Sequence, residues 1–131
     1  MATIYLETEI NRDPAEVWAV ISDWDQGPSR MAPGFVVNTV RDGEDRIVTF
    51  ANGAVAREIK LGQDDARRRL AWSVVGNPNM THHNGAFEVH DAGGGKSRVT
   101  WIADVLPQPA ADVFRQMMTH GLAVMTQALG R

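Results

Sequence analysis

The chain has 131 residues, 44% hydrophobic and 22% charged, with no cysteine and a formal net charge of −3. That length suits one ordinary domain, residues 1–131, with one real core, and the composition excludes a disordered tail. The missing cysteine excludes a disulfide framework, a thiolate metal site and a cysteine nucleophile, and no basic run exceeds Arg67-Arg68-Arg69, so no large nucleic-acid footprint is expected.

The N-terminus, "MATIYLETEINRD", has neither a basic leader nor a long apolar run, so no signal peptide is expected and a cytoplasmic location is. Thr3 to Ile10 alternates as a strand, with Ile4, Leu6, Thr8 and Ile10 on one face and Glu7 and Glu9 on the other. Asp13-Pro14-Ala15-Glu16 then starts a helix. Asp13 suits the N-cap, Pro14 the first helical position and Glu16 the capping-box position. Val17, Val20, Ile21 and Trp24 form one stripe of that short helix, which must stop around Gln26-Gly27-Pro28. A second short helix or turn through Ser29 to Met31 fits before Pro33-Gly34.

Strands then recur between turn signals: Phe35 to Arg41, Arg46 to Phe50, Val55 to Leu61, Arg69 to Val75, Met80 to His90 and Arg98 to Val105. Their spacing predicts an antiparallel meander. Pro109 to Leu129 predicts a long helix. Its apolar arc carries Val113, Phe114, Met117, Met118, Leu122, Val124, Met125, Ala128 and Leu129. That arc spans about half the circumference, wider than a surface helix needs. No apolar stretch approaches the ~20 residues of a membrane span. One curved sheet of about seven strands around one long helix is an α+β architecture.

Three segments carry a resemblance: "INRDPAEVWAVISDWDQGP", "GAVAREIKLGQDDARRRLAWSVV" and "SRVTWIADVLPQP". They resemble the START-like SRPBCC superfamily, which includes polyketide cyclases and dehydratases, lipid-transfer domains and plant pathogenesis-related proteins. The resemblance implies the helix-grip fold, a curved sheet gripping the C-terminal helix around a deep cavity. It also implies a hydrophobic small-molecule ligand in that cavity.

Alternation forecasts the cavity wall. Trp72 faces inward with Leu70 and Val74, and Trp101 with Val99, Ala103 and Val105. Phe87 and Val89 bring His83 and Gly85 in phase with them. Phe114, Met117, Met118, Leu122 and Met125 come from the helix, with Gly121 near the middle of their arc. Alternation puts Arg57 on the face of Val55, Ile59 and Leu61, with Glu58 opposite beside Lys60, though a bulge would exchange the two. For most of these residues plain core packing is the competing reading, since core and cavity wall are the same surface here.

Two tempting motifs fail. "GGGKS" (Gly93 to Ser97) joins two strands rather than a strand and a helix, and lacks the first glycine of a phosphate loop. The histidines of "NMTHHNGAFEVH" make no metal nest. His82 and His83 are adjacent on a strand and point apart, and His82 and His90 lie roughly 26 Å apart at ~3.3 Å per residue. No metal or other cofactor is expected. Three functions remain open. The first is a carrier of a hydrophobic molecule. The second is a cyclase or dehydratase with His83 as general base and Arg57 holding an oxyanion. The third is a protein-interaction module, which would show a filled core and an exposed apolar patch. The sequence names neither the ligand nor an oligomeric state.

Overall fold

A computed structural model describes residues 1–131. The chain runs β1 (Ala2–Ile10), α1 (Pro14–Ile21), α2 (Gly27–Met31), β2 (Val36–Asp42), β3 (Asp45–Phe50), β4 (Val55–Asp64), β5 (Arg69–Val75), β6 (His82–Gly93), β7 (Lys96–Leu106) and α3 (Ala111–Leu129). All seven strands form one antiparallel sheet in the order β1-β7-β6-β5-β4-β3-β2. Chain neighbours are sheet neighbours from β2 to β7. The exception is β1, which closes beside β7 while α1 and α2 carry the chain across to the far edge. This is the α+β helix-grip fold.

Local signals explain the elements. Asp13 is extended (φ −61°, ψ 138°) and its carboxylate accepts from the Ala15 amide at 2.9 Å, capping α1 behind Pro14. Glu16 does not complete a capping box. It pairs with Arg12 at 3.3 Å and with Arg131 at 2.8 Å. Gly43 and Gly53 take positive φ (65° and 88°) in the β2–β3 and β3–β4 turns, where a side chain would be strained. A short 3-10 turn, Gln108–Ala110, precedes α3, so the helix begins two residues later than Pro109.

The concave face of the sheet and the inner stripe of α3 make the core. Ile4, Leu70, Val99 and Val105 are fully buried, as are Met118 and, almost, Met125 from the helix. The inward faces forecast for β5, β6 and β7 are the observed ones. On α3 the buried stripe is Phe114, Met118, Gly121, Leu122, Met125 and Leu129, narrower than the apolar arc. Val113 lies outside it at 72% exposure.

Gly85 and Gly121 answer to close approach rather than to backbone conformation. A Cβ on Gly85 would sit 2.7 Å from the Trp72 ring, its cross-strand neighbour. A Cβ on Gly121 would sit 2.9 Å from the Phe35 ring and 3.3 Å from Trp101. Gly121 therefore serves a tight aromatic contact.

Candidate functional site

Between the sheet and the N-terminal half of α3 lies a cavity of about 460 Å³. Trp72, Val74 and Trp101 line it from the sheet, and Phe114 and Met117 from the helix. Its mouth opens between the β3–β4 turn, the β5–β6 loop and the start of α3, where Asn52, Val55, Asn79 and Val113 are exposed. Beyond it, a chamber of about 50 Å³ is floored by Arg46 and Glu58 and walled by Phe87, Met125 and Gly121. Glu58, Trp72, Trp101 and Phe50 belong to both walls. Met118 and Leu122 are core and line neither space.

Arg57 is not in this site. It points to the outer face and pairs with Asp42 and, at 2.7 Å, with Asp45. Glu58 points in instead, 7% exposed. No bulge before it explains the exchange, because pairing with β3 runs unbroken from Thr49↔Val55 to Arg46↔Glu58 and the β4 irregularity comes later, between Lys60 and Gly62. The inward carboxylate has a charged partner. Arg46 on β3 faces the same way, 2% exposed, and its Nε donates to Glu58 Oε1 at 2.8 Å. The apolar Val55 and Leu61 are left outside, at 62% and 59% exposure.

Arg46 is the site residue that sequence patterning missed. A signal existed: alternation places it on the face of Val48, which is buried, and Phe50. Its guanidinium stacks 3.9 Å above the Trp24 ring and donates to the Trp24 carbonyl at 3.4 Å. Trp24 is itself anchored by its indole N–H to the Glu44 carbonyl at 3.1 Å.

Burial pushes the Glu58 carboxyl above the usual carboxylate range, and the Arg46 charge partly offsets this. Burial likewise lowers Arg46, against the pull of Glu58. Such a pair costs desolvation on both sides and is a poor device for stability alone. The Arg46 bond goes to Oε1, and the other oxygen of the carboxylate, Oε2, has no hydrogen-bond partner in the protein.

His83 enters from β6, 8% exposed, its ring edge-on to Phe114 with centroids 4.5 Å apart. Its Nδ1 is buried with no partner, which leaves Nε2 as the accessible edge. An orphaned acceptor is tolerated better than an orphaned N–H, so the proton belongs on Nε2. Desolvation, with a smaller contribution from His82, lowers the His83 pKa to about 4. At neutral pH the ring is an uncharged donor.

These polar groups share one row of the sheet. Arg46 pairs with Glu58, Glu58 with Val74, and one step beyond Ser73↔Asn84 sets Val74 beside His83. Glu58 and His83 are thus two strands apart, about 10 Å between Cα atoms at ~4.8 Å per strand, with both side chains turned into the concavity.

The other histidines lie elsewhere. His82 and His90 are on the convex face, where His82 meets Asn84 at 2.6 Å. His120 is exposed on α3 against Phe35, ring centroids 5.4 Å apart. No group of three or more His, Asp or Glu side chains is placed to hold a metal. No helix is long and apolar enough to cross a membrane.

Comparisons with known proteins agree on the architecture. The family described as polyketide cyclase / dehydrase and lipid transport matches residues 1–131. No curated protein matches significantly. Among solved structures, the protein XoxI from Bacillus cereus is similar at 21% identity and a TM-score of 0.86, over 98% of this chain and 96% of that one. The di-domain ARO/CYC BexL is similar at 17% identity and a TM-score of 0.76, over 98% of this chain and 46% of that one. Norcoclaurine synthase from Thalictrum flavum, in complex with dopamine and hydroxybenzaldehyde, is similar at 19% identity and a TM-score of 0.70, over 98% and 83%. At these identities the likeness concerns the fold.

Proposed function

We propose that this chain, which belongs to the polyketide cyclase/dehydrase and lipid transport family, binds a hydrophobic, ring-bearing small molecule between its sheet and α3. The observation that carries this is the cavity of about 460 Å³, walled by Trp72, Trp101, Phe114 and Met117 and holding two polar groups that the protein itself leaves open. That volume falls within the ~300–1,000 Å³ of small-molecule sites, which combine apolar walls with a few polar fixtures. His83 offers an N–H to a ligand carbonyl, and Glu58 Oε2 accepts from a ligand hydroxyl. A protein-interaction module would need neither. The aromatic ligands named for norcoclaurine synthase have the same character. Native mass spectrometry of the purified protein should show a bound small organic molecule, or the stripped protein should take up a neutral aromatic probe at micromolar concentration. Failure of both would end this reading.

A second reading, proton-transfer catalysis on a polyketide-like substrate, is favoured by one observation: a buried carboxylate with a raised pKa keeps one oxygen open. In that chemistry Glu58 takes a proton from the carbon beside a ketone. The C–H electron pair becomes an enolate whose oxygen accepts from His83 Nε2–H, and the enolate carbon closes on a second carbonyl. Glu58 then returns its proton to the new alkoxide. His83, with its pKa near 4, is the donor here rather than the base. Glu58→Gln should abolish turnover of a poly-β-keto substrate while leaving its binding intact. Turnover undiminished in that variant would remove this mechanism.

A further inference from the structure

A second space lies against the first. A chamber of about 390 Å³ opens between the β3–β4 turn and the outer side of α3, reaching from Ala51 to His120. It shares Phe50, Asn52, Val113 and Met117 with the main cavity. Phe50 also borders the small inner chamber, so one aromatic ring separates three spaces.

The partition is built with care. Phe50 ends β3, and its amide donates to the Ala54 carbonyl at 2.9 Å while its carbonyl accepts from Gly53 at 2.9 Å. The next amide, of Ala51, donates to the Phe35 carbonyl at 3.0 Å. The backbone at the partition is therefore tied on both sides. Phe35 packs edge-on to Phe50 with centroids 5.5 Å apart and fills the notch at Gly121. Phe35, Phe50 and Met117 stay only half-buried and Val113 is 72% exposed, so apolar side chains line the passage from one space to the other, with Asn52 the one polar residue common to both.

Each space alone exceeds the ~300 Å³ at which ligand sites begin. Their linings differ in charge. The main cavity holds the Glu58 carboxylate, whereas the side chamber has Asn52, Gln116 and His120 as its polar residues and no Asp, Glu, Lys or Arg.

We propose that the side chamber is the second half of one binding site, and that the ligand is an uncharged two-part molecule lying across Phe50. One part, a ring with a hydroxyl or carbonyl, sits with Glu58 and His83. The other, a second ring or a neutral ketide arm, sits between Phe35 and His120. Continuity of the apolar wall makes the distal part of the same ligand the occupant, in preference to a separate molecule.

This rests on the small-molecule reading above, and the test separates the two. N-phenyl-1-naphthylamine is a neutral two-part probe, and 2-naphthol occupies one part alone. Ala51→Trp fills the side chamber from the turn, and Gln116→Trp fills it independently from an exposed helix position. In both variants the affinity for N-phenyl-1-naphthylamine should fall at least tenfold while that for 2-naphthol stays within twofold of the parent protein. Equal affinities in parent and variants for both probes, or equal losses for both probes in correctly folded variants, would overturn the two-part site and leave the main cavity standing. Binding of 2-naphthol alone by the parent protein would overturn the two-part site and leave the small-molecule reading standing, whereas failure of both probes together with the absence of a co-purified ligand would overturn that reading, and this proposal with it.

Discussion

Removing the Arg46 guanidinium leaves the Glu58 carboxylate buried with no cation in reach. Truncating one partner of such a pair typically costs about 3–5 kcal/mol, whereas replacing both with apolar groups is often neutral. Arg46→Met should therefore lower the unfolding free energy by about 3 kcal/mol. Arg46→Met combined with Glu58→Met should recover most of it. Urea denaturation of the three proteins at pH 7 checks this, and a double variant no better than the single would mean that the two charges act separately. His83 adds a pH dependence of definite sign. Above its ordinary pKa of 6.5 the folded and unfolded chains both carry a neutral ring. Below 6.5 the unfolded chain takes up a proton that the folded chain refuses until about pH 4. Stability contributed by the neutral ring is thus present above pH 6.5 and lost across that window, by about 3 kcal/mol at most. His83→Phe should flatten this part of the profile. The difference in stability between parent and variant at pH 7 and at pH 4.5 measures it, and two parallel profiles would contradict it.

At the scale of elements, Gly85 on β6 and Trp72 on β5 form one packing unit. The ring lies where a Cβ would be and packs against Phe87, with centroids 5.1 Å apart. Trp72 is 4% exposed, and it can move aside only by giving up its packing and entering the cavity it lines. Gly85→Ala should therefore cost about 1–3 kcal/mol as an overpacking substitution, visible in the urea midpoint. A change below about 0.5 kcal/mol, the usual size at an unremarkable surface site, would show that the ring yields. Strand alternation made the inward faces of β5, β6 and β7 legible, because each carries most of its large apolar residues, and all its aromatic ones, on one side. It failed on β4 for a physical reason. There the apolar residues Val55 and Leu61 face solvent, and the residue that turns in is a carboxylate paired with a buried arginine on the neighbouring strand. Such pairing is a relation between strands, invisible in either alone. On α3 the apolar arc was too wide because one of its edges, Val113 and Met117, borders the mouth rather than the core.

For the molecule as a whole, the order of elements was legible throughout. Turn residues recur at hairpin spacing, and the helix-starting sequence Asp13-Pro14 and the Met-rich final helix mark the remaining pieces. Cavity size was not legible, since it depends on how far the curved sheet stands off α3. If the cavity is where ligand binds, binding should stabilise the whole fold by mass action. A ligand at a hundred times its Kd adds about 2.7 kcal/mol. In a chain of this length that raises the Tm by roughly 10 °C. Thermal scans with and without N-phenyl-1-naphthylamine test this, and an unchanged Tm at saturation would mean that the probe binds folded and unfolded chains alike.

The partition at Phe50 has a consequence for how such a protein can change. Asn52, Val55, Val113 and Gln116 lie on a turn, a strand end and a helix shoulder, all exposed. None belongs to the buried core cluster. Exposed positions of this kind tolerate substitution with little loss of stability. The polar floor at Arg46 and Glu58 is embedded in the sheet and cannot drift as freely. A randomised library at those four rim positions should therefore yield many folded proteins with altered ligand preference. On the proposed function, the same scaffold can accept a new ligand without first being made more stable.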